Sequence, residues 1–170
     1  MFNLPRKRII AGLGTALAAV SIAAGSGATF TSQTANPANT FSSGTFKHTN
    51  SKNGASIVTG ANLKPGESRT GEVTITNTGS LDGNFKLSEK SAVNPFTAGS
   101  LQLVIHDVTT NVEAYRGDLG AVAAGGIQLG NFAAGAARTY RFTVTLAQSA
   151  PNSDQGKTAT ANYEWDAVQS

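Results

Sequence analysis

The side chains best suited to chemistry are two histidines, His48 and His106, and an aspartate, Asp107, beside the second of them. Imidazole and carboxylate groups bind zinc, and a catalytic zinc usually takes three protein ligands including histidine. The histidines do not stand in the His-Glu-x-x-His arrangement that brings two of them onto one helix face. His106 and Asp107 are adjacent, so on a strand they point to opposite faces. We therefore predict no metal site and no cofactor, with His48 and His106 as the only metal-ligand candidates.

Other reactive arrangements are missing from the sequence. There is no cysteine, which excludes disulfides and a thiolate nucleophile. No Gly-x-Ser-x-Gly motif stands between a strand and a helix. Glu164 and Asp166 share one face of a predicted strand, a spacing that suits an acid pair or a calcium ligand pair but is more typical of a solvated sheet face. We predict no catalytic residues and no enzyme activity.

The charge balance excludes one class of partner. Arg6, Lys7 and Arg8 account for three of the 13 basic residues, and the remaining basic residues match the 10 acidic residues in number. Beyond this N-terminal cluster the chain is formally neutral. A neutral domain has no excess of cations for phosphate groups, so we predict that it does not bind nucleic acid.

The N-terminus is typical of an export signal. The basic cluster precedes an apolar run at residues 9–24, and small residues follow at 25–28. This is the order of a signal peptide, which we predict to comprise residues 1–28. The alternative is a retained membrane helix, because the run is just long enough to span a bilayer. In both cases the remainder of the chain is outside the cytoplasm, and it contacts the membrane only through this segment.

Residues 29–53 are polar and contain few large apolar side chains. We predict that they form an extended N-terminal arm that adds a first strand near residues 41–49. Within it, Phe41, Gly44 and Phe46 mark the candidate assembly strand.

Residues 54–170 show the period-two alternation of half-buried strands. In residues 72–76, for example, Val73 and Ile75 face one side and threonines face the other. The alternation predicts strands at residues 72–76, 85–87, 101–105, 140–146 and 159–167, with weaker candidates at 55–59, 112–116 and 127–130. The predicted core anchors are Val73, Ile75, Phe85, Leu103, Phe142, Val144, Tyr163 and Trp165. The fold prediction is all-β: one antiparallel β-sandwich of jelly-roll or immunoglobulin-like type, preceded by a signal helix.

A short internal echo links two of these strands. LKPGESRTGEVTIT at residues 63–76 aligns at a constant offset with FAAGAARTYRFTVT at residues 132–145. In both, a hydrophobic residue and a glycine turn precede a strand that enters the core. We interpret the echo as convergence on one loop-into-strand device within a single sandwich.

Three stretches resemble the TasA/camelysin family of secreted bacterial proteins, which includes biofilm-matrix fibre subunits. They are NTFSSGTF at residues 39–46, LKPGESRTGEVTITNTGSLDGNF at 63–85, and ATANYEWDAVQ at 159–169. The resemblance implies a jelly-roll-like sandwich, processing by a SipW-type signal peptidase, and a role in the matrix or at the cell surface. Camelysin itself is described as a surface metalloprotease, so the resemblance also raises that activity.

The function that we predict is structural: an extracellular protein whose subunits join each other, or other matrix and cell-wall components, by strand addition into fibres. One alternative is an adhesin-like module that binds a cell-wall polymer through its loops. Another is a camelysin-like surface metalloprotease. An ordinary first strand in a monomeric sandwich is also compatible with the arm.

Overall fold

A computed structural model describes residues 42–170, and their backbone is almost entirely strand and turn. The strands are β1 (His48–Asn50), β2 (Ser68–Asn77), β3 (Gly83–Val93), β4 (Leu101–Asp107), β5 (Val112–Asp118), β6 (Ile127–Phe132), β7 (Ala137–Leu146) and β8 (Thr160–Gln169). A 3-10 turn, Asn152–Asp154, precedes β8. The predicted signal segment and Phe41 lie outside the described residues. Within residues 42–170, no helix has the length and apolarity needed to span a membrane.

The strands form two sheets, and every neighbouring pair of strands is antiparallel. The larger sheet has the order β1-β2-β7-β4-β5, and the smaller sheet has the order β6-β3-β8. The inward faces of both sheets supply one hydrophobic core. This arrangement confirms the predicted all-β sandwich.

The core follows the alternation seen in the sequence. Along β4, for example, Leu101, Leu103 and Ile105 are buried, whereas Gln102 between them is exposed. Burying each such side chain stabilises the fold by about 1.5–3 kcal/mol. Six predicted anchors are buried, namely Val73, Ile75, Phe85, Leu103, Phe142 and Trp165, while Val144 and Tyr163 are half-buried against the same core.

The predicted strand at residues 55–59 is wrong. After β1 the chain makes successive turns, with the Ala55 N–H donating to the Lys52 carbonyl at 2.9 Å. Ile57 and Val58 are then both partly buried against the core, and the Ile57 carbonyl lies against Gly71 of β2. Two adjacent residues that contact the same core do not need the two-sided alternation of a strand.

The two echoing segments lie side by side as β2 and β7. Gly66 and Gly135 both adopt positive φ, at 83° and 77°, a conformation that glycine accepts without strain. The Gly66 N–H donates to the Leu146 carbonyl at 2.7 Å, and the Gly135 N–H donates to the Asn77 carbonyl at 2.9 Å. Each turn glycine therefore holds the end of the partner strand, which gives the pair a local two-fold symmetry.

Candidate functional site

Residues 42–50, which we call the arm segment, close one end of the core with two aromatic side chains. The Phe46 ring lies 6.5 Å from the ring of Phe85, and the His48 ring lies 5.5 Å from it. Phe85 is fully buried and stacks on Phe132 at 4.2 Å. The arm segment therefore covers an aromatic row that belongs to the smaller sheet.

Main-chain hydrogen bonds join the arm segment to residues 78–83, the docking turn between β2 and β3. The Lys47 carbonyl accepts hydrogen bonds from the N–H groups of Thr78, at 2.8 Å, and Gly79, at 3.0 Å. The Thr45 carbonyl accepts the Ser80 N–H at 2.8 Å. In return, the Thr45 N–H donates to the Ser80 hydroxyl at 2.9 Å. These bonds fix the register of the arm segment without involving the central strands.

The ladder that follows is short. β1 pairs with β2 only through His48–Asn77, Thr49–Thr76 and Asn50–Ile75. β2 instead makes its long ladder with β7, over nine residues from Ser68 to Thr76. β1 is thus a three-residue edge strand, and the outer edge of β2 beyond it carries no further strand in the described part of the chain.

The docking turn itself is held by a buried asparagine. The Asn77 side chain is fully buried and donates to the carbonyls of Leu81 at 2.8 Å and Phe132 at 3.1 Å. Its Oδ1 atom accepts the Gly79 N–H at 3.0 Å. Because a buried amide is stable only when it is hydrogen-bonded, Asn77 fixes the docking turn in a single conformation.

Two of the three candidate assembly residues lie within the described residues. Phe46 is half-buried against Phe85. Gly44 lies against the Leu81 side chain, where an added Cβ atom would come within 2.5 Å of Leu81 Cδ2. Phe41 lies outside the described residues.

The two histidines do not converge. His48 points inward onto Phe85, whereas His106 alternates with the buried residues of β4 and points outward. Two strands, β2 and β7, separate β1 from β4. His48 lies opposite Asn77 of β2, whereas His106 is level with Glu72 of the same strand, so the histidines are roughly 20 Å apart. Among residues 42–170, no three histidine, aspartate or glutamate side chains meet as metal ligands.

The carboxylates of β8 are paired with lysines of β3. Glu164 Oε2 lies 3.3 Å from Lys90 Nζ, and Asp166 Oδ2 lies 3.7 Å from Lys86 Nζ. Asp166 also accepts the Ser88 hydroxyl at 3.0 Å. Partial burial opposes the ionisation of Asp166, but this hydrogen bond and the lysine charges outweigh it and lower its pKa. The pair therefore forms cross-strand ion pairs on a sheet face.

One family of known proteins matches the chain. The sequence model described as camelysin metallo-endopeptidase matches residues 5–98, more than half of the chain. The chain belongs to the camelysin family. Among curated proteins, the search found no match. The camelysin match includes the arm segment, β2, the docking turn and β3, and it ends before β4.

Membership of the camelysin family makes the protein a secreted or cell-surface protein in general terms. The family description also implies a catalytic metal. The described residues do not fit one, because His48 and His106 lie on opposite faces of the larger sheet and Asp107 points inward, away from His106. No mechanistic step can be derived from a metal bound to these side chains.

Proposed function

We propose that the protein is a structural component of the cell surface or biofilm matrix, and that its subunits join by exchanging the arm. In this arrangement, the arm segment of one subunit occupies the docking turn and the edge of β2 of the next subunit. The observation that carries the proposal is the contact of Phe46 and His48 with Phe85. The same contact can be made by another subunit's arm, because it joins a peripheral segment to a preformed surface.

The energetic balance supports exchange. Ordering each residue of an arm costs about 1–2 kcal/mol, and each hydrogen bond returns only about 1 kcal/mol net. The arm segment makes a short ladder and a few bonds to the docking turn. The free energy of docking the arm segment within one subunit is therefore close to zero. Exchange retains the same contacts while joining two subunits.

The proposal gives each part of the chain a role. Residues 1–28 act as a signal peptide that a SipW-type signal peptidase removes, and residues 29–53 become the free arm. Residues 54–170 form the sandwich that receives a neighbour's arm. Export precedes assembly, so subunits join only outside the cell. The proposal assigns no protease activity to the protein itself.

Electron microscopy of the purified secreted protein tests the proposal. The wild-type protein is expected to form fibres at high concentration, and Phe46→Ala is expected to abolish them because it removes the main anchor of the arm. Val93→Ala is the matched control, since Val93 is an apolar side chain that is 63% exposed. Circular dichroism establishes that each variant is folded. Unchanged fibres from folded Phe46→Ala, or from a chain lacking residues 29–46, would contradict the proposal.

A cell-wall-binding module is the second candidate. A polar cleft lined by residues between Asp107 and Tyr140, beyond the camelysin match, favours it. A pull-down on purified cell walls separates the two functions. Wall binding by a protein that stays monomeric at high concentration would favour the module over the fibre subunit.

A further inference from the structure

A cleft of about 410 Å³ lies between the β4–β5 hairpin of the larger sheet and β6 of the smaller sheet. Its size falls within the range of small-ligand sites. Its polar lining includes Asp107, Glu113, Arg138 and Tyr140, and its apolar lining includes Ala114 and Leu129. All of these residues lie beyond the segment matched by the camelysin family.

One carboxylate oxygen of Asp107 makes only a long ion pair here. The side chain is 6% exposed, and its Oδ1 atom accepts the N–H groups of Thr109 at 2.9 Å and Thr110 at 3.0 Å. Its Oδ2 atom lies 3.7 Å from Arg138 Nη1, which is beyond hydrogen-bond distance. Oδ1 thus holds the turn after β4, while Oδ2 is ion-paired with Arg138 and can still accept a direct hydrogen bond.

Arg138 is held rigidly in the same place. Its Nη1 atom donates to the Leu129 carbonyl at 2.8 Å, and its Nη2 atom donates to the Asn131 carbonyl at 2.9 Å. Arg138 Cζ also lies over the Phe132 ring, 4.3 Å from its centre. A cation fixed by three contacts loses little entropy when it binds a ligand.

Tyr140 supplies a buried hydroxyl that lacks a partner. The residue is 1% exposed, and its Oη atom makes no hydrogen bond within residues 42–170. Burial, followed by the charge of Asp107, raises the pKa of Tyr140 to about 12, so the hydroxyl is a neutral donor at physiological pH. An unpaired buried hydroxyl costs about 1–3 kcal/mol, and a ligand that pairs with it recovers that cost.

The charges and walls of the cleft select the class of ligand. Asp107 and Arg138 cancel each other, and Glu113 at the rim is paired with Arg116. A neutral cleft favours neither a phosphate nor a divalent cation. Alternating donors and acceptors suit adjacent hydroxyl groups, which both donate and accept, and the aliphatic walls suit a C–H face. We propose that the cleft binds a neutral sugar residue, which gives this surface protein a glycan-binding site separate from the arm.

The sole tryptophan provides the readout. Trp165 packs on Tyr140 with ring centroids 5.0 Å apart, so occupancy of the cleft changes its environment. The purified secreted protein is titrated with glucose, galactose, N-acetylglucosamine and N-acetylgalactosamine while tryptophan fluorescence is recorded. We expect a saturable change with at least one of these sugars, weakened roughly tenfold by Tyr140→Phe and by Asp107→Asn.

Tyr163→Phe is the matched control, because Tyr163 carries another buried hydroxyl without a hydrogen-bond partner in the described residues but does not line the cleft. This variant is expected to bind like wild type. Tyr140→Phe keeps the ring and its packing, so it tests the hydroxyl even if Asp107→Asn does not fold. Absence of a saturable change with all four sugars overturns the proposal, as does equal weakening by Tyr163→Phe. Fibre formation by Tyr140→Phe is expected to be normal, so the two proposals fail independently.

Discussion

The ring of Phe46 lies directly against the backbone of Gly83, where an added Cβ atom would come within 2.5 Å of Phe46 Cζ. Gly83 is buried at the start of β3 and ends the docking turn. The absence of a side chain at this position makes room for the arm's aromatic anchor. The fit between arm and sandwich therefore depends on one glycine in the sandwich as much as on the arm.

Gly83→Ala is expected to loosen the arm without unfolding the sandwich. Overpacking of this kind costs about 1–2 kcal/mol, which increases the ratio of open to docked arm by a factor of roughly 5–30. Limited proteolysis followed by N-terminal sequencing measures the rate of cleavage before β1. Gly125→Ala is the control, because a Cβ atom there meets nothing within 4 Å. Equal cleavage rates for Gly83→Ala and wild type would show that Phe46 does not rest on this backbone.

Asn77→Ala is expected to lower the free energy of unfolding by about 2–3 kcal/mol, since it removes the buried amide that donates to the carbonyls of Leu81 and Phe132. Asn77→Asp is expected to be worse, because a carboxylate would face the carbonyls of Leu81 and Phe132. Urea unfolding followed by tryptophan fluorescence measures both changes. Asn84→Ala serves as the control, because Asn84 is exposed on β3. A loss below about 0.5 kcal/mol for Asn77→Ala would mean that the side chain does not hold the turn.

The three tyrosines are expected to ionise at a higher pH than a solvent-exposed tyrosine. Burial is the main cause that raises the pKa of Tyr115, Tyr140 and Tyr163 above 10.0, and the value for Tyr140 is about 12. The folded state therefore binds these protons more tightly than the unfolded state. The resulting stability is complete below about pH 10 and is lost as the pH rises through the folded-state values.

Absorbance at 295 nm, recorded against pH, measures phenolate formation directly. The native protein is expected to show little phenolate at pH 10, with most of the change accompanying alkaline unfolding. Half-ionisation of the tyrosines near pH 10, in a protein that circular dichroism shows to be folded, would contradict their burial.

The hydrogen bonds of Asp154 are expected to make the stability of the fold sensitive to acid. The Lys157 ammonium donates to Asp154 Oδ1 at 2.8 Å, and the Thr97 N–H and hydroxyl each donate to it at 3.0 Å. The hydrogen bond from Lys157 is the main cause that lowers the pKa of this carboxyl well below 3.8. The stability it contributes is complete above about pH 4 and is lost as the pH falls toward the folded-state value. Asp154→Asn is expected to be less stable than wild type near pH 7 and to lose less stability on acidification. Parallel pH profiles of the urea midpoint for the two proteins would exclude this role.

Much of the core can be predicted from the sequence, because a strand that is buried on one face alternates apolar and polar residues. Val73 and Ile75 of β2 and Leu103 of β4 occupy apolar positions of this alternation, and all three are buried. The pairing of β2 with β7 could not be read in this way, since it joins segments far apart in the chain. The echo around Gly66 and Gly135 was a sign of shared local structure, and the two segments pair with each other.

The polar cleft was missed for a related reason. Asp107 continues the inward series of Leu101, Leu103 and Ile105, and Arg138 continues the inward series of Tyr140. A polar residue in an inward position was the available signal. This signal did not reveal the cleft, because period-two alternation is recognised from apolar side chains, and a charged residue in an inward position interrupts the pattern. The orphaned Tyr140 hydroxyl becomes visible only when the two sheets are brought together.

Arm exchange is tested most directly by cross-linking, because the chain has no cysteine of its own. Thr49 and Thr76 are cross-strand partners of β1 and β2, at a spacing of about 5.5 Å that a disulfide can bridge. Secreted Thr49→Cys and Thr76→Cys proteins are mixed, allowed to assemble, oxidised and separated on a denaturing gel. Exchange predicts a disulfide-linked dimer in the mixture and little of it in either variant alone. An assembled mixture without that dimer, together with a double variant that closes the bond within one chain and still forms fibres, would contradict the account.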